Sequence, residues 1–355
     1  MRITCIEAWP VPMGLEEPYT IAYETIDKVV NVFCRIETNT KICGYGCAAP
    51  DLRVTGETPE GALETFDGII KYNLKGSDPL RAVKITERVK KALPNQPSVR
   101  AAIDMALYDI LGKVAGLPAW RLLGGFRDRI RTSMTIGILD EGATVHRAKE
   151  YVNRGFHILK LKGGLDMERD IQRVKAVRDA VGPKIALRFD ANQGYTLDES
   201  VRFVTATRAA DIEILEQPTP CGQPDLLRRV TADTAIPIMA DESLMTLRDA
   251  FRVAKRGLAD MVNVKLMKVG GIEEALHINS VSRAAGVQVM VGCMDEAALG
   301  IAAGLHFALA RPTVKYADLD GHIGLEGDPS AGVVILRDGT LFPSDLPGLG
   351  YVPKS

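Results

Sequence analysis

The chain has 355 residues, enough to bury a large core and to divide into about two domains. Its apolar content of 46%, charged content of 25% and net charge of −1 are ordinary for a globular protein. There is no long basic run and no span of about 18 apolar residues, so nucleic-acid and membrane partners are not expected.

The opening residues MRITCIEAWPVPM hold no apolar stretch of signal-peptide length, and the six cysteines are scattered. Both features predict a cytoplasmic protein with reduced thiols. Cys43-Gly-Tyr-Gly-Cys47 lacks the second pair and the spacing of a zinc site. The five histidines form no motif.

Residues 1–56 read as strands. RITCIEAWPVPM alternates, VVNVFCRIET is β-branched and aromatic, and Gly-rich KICGYGCAAP follows a turn. Residues 57–125 read as helices, with apolar positions at three- and four-residue steps in PEGALETFDGIIKYNL, DPLRAVKITERVKKAL and SVRAAIDMALYDILGKVAG. Strands followed by helices predict a small α+β domain over 1–125. From about 130, short apolar runs alternate with amphipathic stretches such as MERDIQRVKAVRDAVG. The runs are TSMTIGI, HILKLKG, IALRFDAN, IEILEQP, IPIMADE, MVNVKLMK, VQVMVGC and VKYADLD.

Eight strands alternating with helices predict an α/β fold, a (β/α)8 barrel over 126–324 capped by the first domain. A doubly wound sheet fits less well, because polar residues end nearly every strand and one switch point does not need them. GVVILRDGTLFP reads as a hairpin around Asp338-Gly339, and 325–355 is expected to return to the first domain.

Asp190, Glu216 and Asp241 each end an apolar run, 26 and 25 residues apart. On barrel strands three, four and five they stand at the mouth where such barrels carry their active sites. Three ionised carboxylates would repel one another, and a Mg²⁺ ion with its oxygen ligands resolves that repulsion. Single acids of this kind usually cap a helix; three in register argue for a metal. Lys160 and Lys162 share one face of strand two, and Leu161 between them faces the helices. Lys265 ends strand six, across the barrel. A substrate held between them would meet a lysine on each side. Burial and nearby cations are expected to lower the lysine pKa toward that of a base. Lys268 lies one helical turn further on, as a structural partner. Asp318 and Asp320 on the last strand again share a face. No lysine of the chain is an obvious partner, so a substrate ammonium is expected there.

These residues resemble the enolase superfamily. The Lys-x-Lys of Lys160 and Lys162, the three acids, and Lys265 in NVKLMKVGG are similar to the muconate-lactonizing subgroup. Asp318-x-Asp320 followed by glycine resembles the dipeptide epimerases, as do GCM at 292–294 and VTGET at 54–58. The resemblance covers nearly the whole chain. It implies one Mg²⁺ per subunit on Asp190, Glu216 and Asp241, and a dipeptide substrate bound through its carboxylate. Lys162 and Lys265 would remove and return the α-proton, with Lys160 stabilising the enolate. Asp318 and Asp320 would hold the free amine. Barrels of this family often assemble, which leaves room for a homo-oligomer.

For specificity, the first cap loop reads YTIAYETID and lacks the arginine by which Ala-Glu epimerases resemble one another. Glu24, Asp51 or Asp295 would favour a cationic side chain, and Tyr19 and Tyr23 an apolar one; Met294 joins this set from the GCM motif. Cys47 stands where many relatives carry an acidic residue. The alternative reactions with the same lysine pair are N-acylamino acid racemisation, o-succinylbenzoate synthesis and cycloisomerisation. None gives Asp318 and Asp320 a role. A non-catalytic metal-binding barrel would have no need of opposed lysines.

Overall fold

The computed structural model describes residues 1–20 and 25–353. Tyr23 and Glu24, expected to contact substrate, lie outside the described residues. Three antiparallel strands, Ile3–Thr20, Thr25–Thr38 and Cys43–Ala48, open the chain. The helix Pro97–Ala115 packs across them. Gly44 and Gly46 make that approach possible, because a Cβ on either would fall on the Ala106 or Ala102 carbonyl of the helix. The stretch Pro59–Leu74 is helical throughout, with a π-helical turn at Phe66–Ile70.

The eight barrel strands are those expected. Met134–Ile136, Ile158–Lys162, Ala186–Asp190, Ile212–Glu216, Ile238–Ala240, Met261–Lys265, Gln288–Gly292 and Val314–Asp318 form one parallel sheet in sequence order. Backbone and side-chain bonds draw its two edges together. Ser133 N donates to Ala317 O at 3.2 Å and Thr135 N to Asp320 Oδ2 at 2.6 Å. Intervening helices start at capping residues that satisfy their first N–H groups: Asp140, Asp166, and the Thr196/Glu199 and Thr246/Asp249 capping boxes. Between barrel and helices lies the main core. Phe203 is fully buried there, its ring 4.4 Å from Phe189 and 5.5 Å from Tyr195.

The tail folds as a hairpin, Val334–Arg337 with Thr340–Pro343, and Asp338 and Gly339 both take the positive φ that a tight turn needs. Its sheet partner is Ile130–Arg131, just ahead of the barrel. Other tail residues reach the cap. Leu325–Glu326 pairs with Gly14 and Leu15, and the Tyr351 ring stands edge-on to Tyr45 at 5.1 Å. Buried Asp109 accepts from Tyr45 N, Lys113 Nζ and Leu349 N, tying cap strand, cap helix and tail together.

Register sets the level of the site. Lys162 pairs with Asp190 and Asp190 with Glu216; across the barrel Lys265 pairs with Gly292 and Gly292 with Asp318. Asp241 follows the fifth strand directly. Chemistry-bearing side chains from six strands therefore open onto one end of the barrel.

Candidate active site

Asp190, Glu216 and Asp241 are buried, and one carboxylate oxygen of each lies within 4.8 Å of the other two. An all-oxygen set of this kind suits a hard divalent cation. Supporting bonds fix each acid. Asn192 N donates to Asp190 at 2.9 Å and Asn263 Nδ2 to Glu216 at 2.7 Å. Gln217 Oε1 accepts from Asp241 N at 2.9 Å and Ser243 N at 3.1 Å. Lys268, fully buried, bonds the Asp241 carboxylate. Gly292 leaves room for Asn263, since a Cβ there would strike its amide.

The three lysines close on the same acids. Lys160 Nζ lies 2.7 Å from Glu216, 2.8 Å from Asp318 and 3.1 Å from Asp190. Lys162 Nζ is 2.7 Å from Asp190, and Lys265 Nζ 2.9 Å from Asp241. A lowered lysine pKa is not what this arrangement produces. Burial alone pulls Lys160 and Lys265 down, but Asp318, Glu216 and Asp190 around the first and Asp241 beside the second more than reverse it. Both stand well above the ordinary lysine value. A dication on the same carboxylates would oppose that rise. Lys268 alone is lowered, by burial and by Lys265 against the pull of Asp241.

A cavity of about 540 Å³ opens over this cluster. Lys162 and Lys265 line it four strands apart in a ring of eight, hence from opposite sides. Asp318 and Asp320 line it at the far edge, and Met294, Asp295 and Asp51 under the cap. The expectation that Asp318 has no lysine partner is corrected. Lys160 reaches past the first barrel strand to bond it at 2.8 Å, and Ser133 Oγ donates to it at 2.5 Å. Among the described residues Asp320 has no lysine within ion-pair distance: Oδ2 accepts from Thr135 N, and the Cys293 thiol stands 4.0 Å from Oδ1.

Under the cap, the Tyr19 hydroxyl meets both oxygens of Asp295, at 2.8 and 2.9 Å. Burial and Asp295 hold the Tyr19 hydroxyl well above its usual pKa, so it remains a donor. Burial pushes Asp295 itself up to about 6, against the Tyr19 hydroxyl and Lys162 and Lys265. Sequence reasoning missed Asn263, Gln217 and Ser133. Asn263 was findable, since it sits two residues before Lys265 on the same strand face. Ser133 was not, because its partner is 185 residues away.

No helix among the described residues is long and apolar enough to cross a membrane. The model for the mandelate racemase/muconate lactonizing enzyme N-terminal domain matches residues 4–124, and that for the enolase C-terminal domain-like family matches 143–355. A hydrophobic dipeptide epimerase of Enterococcus faecalis is 40% identical over 99% of both chains. A crystal structure of a dipeptide epimerase from that organism, complexed with Mg and L-Leu-L-Tyr, is 40% identical and superposes with a TM-score of 0.96 over 99% of both chains. An L-Lys-D/L-Arg epimerase of Methylococcus capsulatus is 38% identical, again over 99% of both. A structure from that organism, of a dipeptide epimerase with Mg and L-Arg-D-Lys, has a TM-score of 0.94. An L-Ala-D/L-Glu epimerase of Bacillus subtilis is 35% identical over 99% of this chain and 97% of its own. With both domain models matched and these identities along its full length, the chain belongs to the enolase superfamily, in the mandelate racemase/muconate lactonizing enzyme family.

Proposed function

We propose that this protein is a Mg²⁺-dependent dipeptide epimerase that inverts the α-carbon of the C-terminal residue, with lysine or arginine preferred there. Mg²⁺ held by Asp190, Glu216 and Asp241 would supply fixed positive charge for the dipeptide carboxylate and for the charge developing beside it. Lys162 and Lys265 flank the cavity from opposite sides, so one takes the α-proton and the other returns it on the opposite face. Lys160 adds positive charge from below. Asp320, aided by Asp318, receives the substrate ammonium.

The observation that carries the side-chain preference is Asp295. It is a carboxylate on the cavity wall that meets a tyrosine hydroxyl and, among the described residues, no lysine or arginine within ion-pair distance. Asp51 lines the same region and adds to its negative field. An apolar C-terminal residue is the second reading. It is favoured by the apolar wall of Val54, Ile136 and Met294 and by the Enterococcus faecalis relative.

Proton NMR in D₂O with Mg²⁺ tests both readings on L-Ala-L-Lys, L-Ala-L-Phe and L-Ala-L-Glu. Loss of the C-terminal α-proton signal with L,D product, fastest for Ala-Lys and abolished by EDTA, is the expected result. Preference for Ala-Phe selects the second reading. Exchange only with N-acylamino acids overturns the epimerase assignment.

A further inference from the structure

The cap contributes more to the cavity than its loops. Asn31, on the second cap strand, is 1% exposed and its side chain is fully engaged. Nδ2 donates to the backbone carbonyl of Asp295 at 3.2 Å, and Oδ1 accepts from Ala297 N at 2.8 Å. Oδ1 also faces the Cys47 thiol, a donor at 3.4 Å on the neighbouring cap strand. Asn31 thus spans the two residues flanking Glu296 and holds the loop that follows barrel strand seven. Glu296 helps from within by accepting from Met294 N at 3.0 Å. Below, Asp328 and Ser330 fix the loop's exit by accepting from Ala298 N and Leu299 N. A buried amide that satisfies one donor and one acceptor of a single loop specifies that loop's backbone, since losing it strands both groups.

We infer that Asn31 is a specificity-positioning residue: it sets the backbone of the 294–297 loop so that the Asp295 carboxylate stands on the cavity wall opposite Tyr19. Cys47 is then explained as a neutral, buried donor to Asn31 Oδ1. Its thiol is held well above the usual cysteine pKa by burial and by Glu296, so it stays protonated. An acid in its place would confront the amide oxygen with a charge. The inference rests on the reading of Asp295 as the contact for the substrate's C-terminal side chain.

The test compares Asn31→Ala, Asn31→Ser, Asp295→Asn and the Asn31→Ala/Asp295→Asn double variant, each with Mg²⁺. The substrate is whichever of L-Ala-L-Lys and L-Ala-L-Phe the wild type turns over better, and thermal melts check folding. Asn31→Ala should raise KM about tenfold with kcat nearly unchanged, the effect of a lost hydrogen bond to a binding group. The double variant should be no worse than Asp295→Asn alone, because Asn31 acts through Asp295. Should Asn31→Ala fail to fold, Asn31→Ser carries the same comparison. Equal loss of kcat and kcat/KM, or effects of Asn31 and Asp295 that simply add, would overturn the inference. A wild-type preference for Ala-Phe would defeat the cationic reading instead, and the additivity result would still decide the role of Asn31.

Discussion

The two aspartates at the cavity's far edge are not equivalent, and Asp320→Asn separates them. Asp318 is locked between Lys160 Nζ at 2.8 Å and Ser133 Oγ at 2.5 Å. Asp320 accepts from Thr135 and, among the described residues, has no lysine or arginine within ion-pair distance; the Cys293 thiol stands 4.0 Å from its Oδ1. It is the carboxylate with capacity left for an incoming ammonium. A hydrogen bond to a charged group is worth about 1.5–3 kcal/mol, or roughly 10- to 150-fold in binding. Asparagine keeps the acceptor that Thr135 N needs and the shape of the edge, but loses the charge. Asp320→Asn should therefore raise KM by that factor while kcat changes by no more than about threefold. Asp318→Asn should behave differently. It takes one of three carboxylate partners from a buried ammonium, and the two that remain, Asp190 and Glu216, belong to the candidate metal site. There kcat should fall with KM. Steady-state epimerisation followed by NMR gives both constants, and an N-acetylated dipeptide supplies the control. Wild type should discriminate against the acetylated substrate, and Asp320→Asn should largely lose that discrimination. If Asp320→Asn lowered kcat at constant KM, or discriminated as well as wild type, the assignment of the ammonium to Asp320 would be wrong.

Lys162→Ala and Lys265→Ala should each abolish net epimerisation, a loss of at least about 10²–10⁴. Each should keep α-proton exchange for the one starting configuration that the remaining lysine faces, read separately on L,L and L,D substrate in D₂O. Phe203→Ala empties the contact between Phe189 and Tyr195 and should cost about 3–5 kcal/mol in chemical denaturation, with KM unchanged. His306 is buried, its Nδ1 accepts from Trp120 N, and burial pushes its pKa down to about 3. The unfolded chain takes up that proton near pH 6.5 and the native one does not. Stability is thus untouched by this group above about pH 7 and falls by up to about 1.4 kcal/mol per pH unit from about 6.5 toward 3. His306→Asn, which keeps an acceptor and does not titrate, should melt with a shallower acid slope over pH 6.5–4. An unchanged slope would show that His306 is not the titrating group.

What the sequence discloses here follows from which interactions are local in the chain. Each strand announces itself by a short β-branched or aliphatic run, and Asp190, Glu216 and Lys265 are legible because each ends such a run. Asp338-Gly339 likewise carries its own turn, since both residues tolerate positive φ. The hairpin's partner, Ile130–Arg131, left no mark in the sequence, because pairing across some two hundred residues depends on where the barrel places both. The same holds for Lys160 with Asp318 and Tyr19 with Asp295, 158 and 276 residues apart. The carboxylates that raise the Lys160 and Lys265 pKa values are hidden for a related reason. Burial was readable from a lysine inside a strand, but the number of carboxylates around each ammonium was not.

Register explains why six strands can share one site. On a strand, residues alternate between the barrel interior and the surrounding helices, so a slip of one residue would turn every functional side chain outward. Lys162, Asp190 and Glu216 lie on one continuous rung, and Lys265, Gly292 and Asp318 on another. Gly292 has no side chain at that level, and the space goes to Asn263, which reaches over to hold Glu216. Its absent side chain matters as much as the charges beside it. Gly292→Ala should displace the Asn263 amide and leave Glu216 without that donor, while the barrel, buried on both faces of the sheet, keeps its fold. A position with no chemistry of its own thus holds a catalytic-site acid in place, where the sequence shows only a small residue at the end of an apolar run.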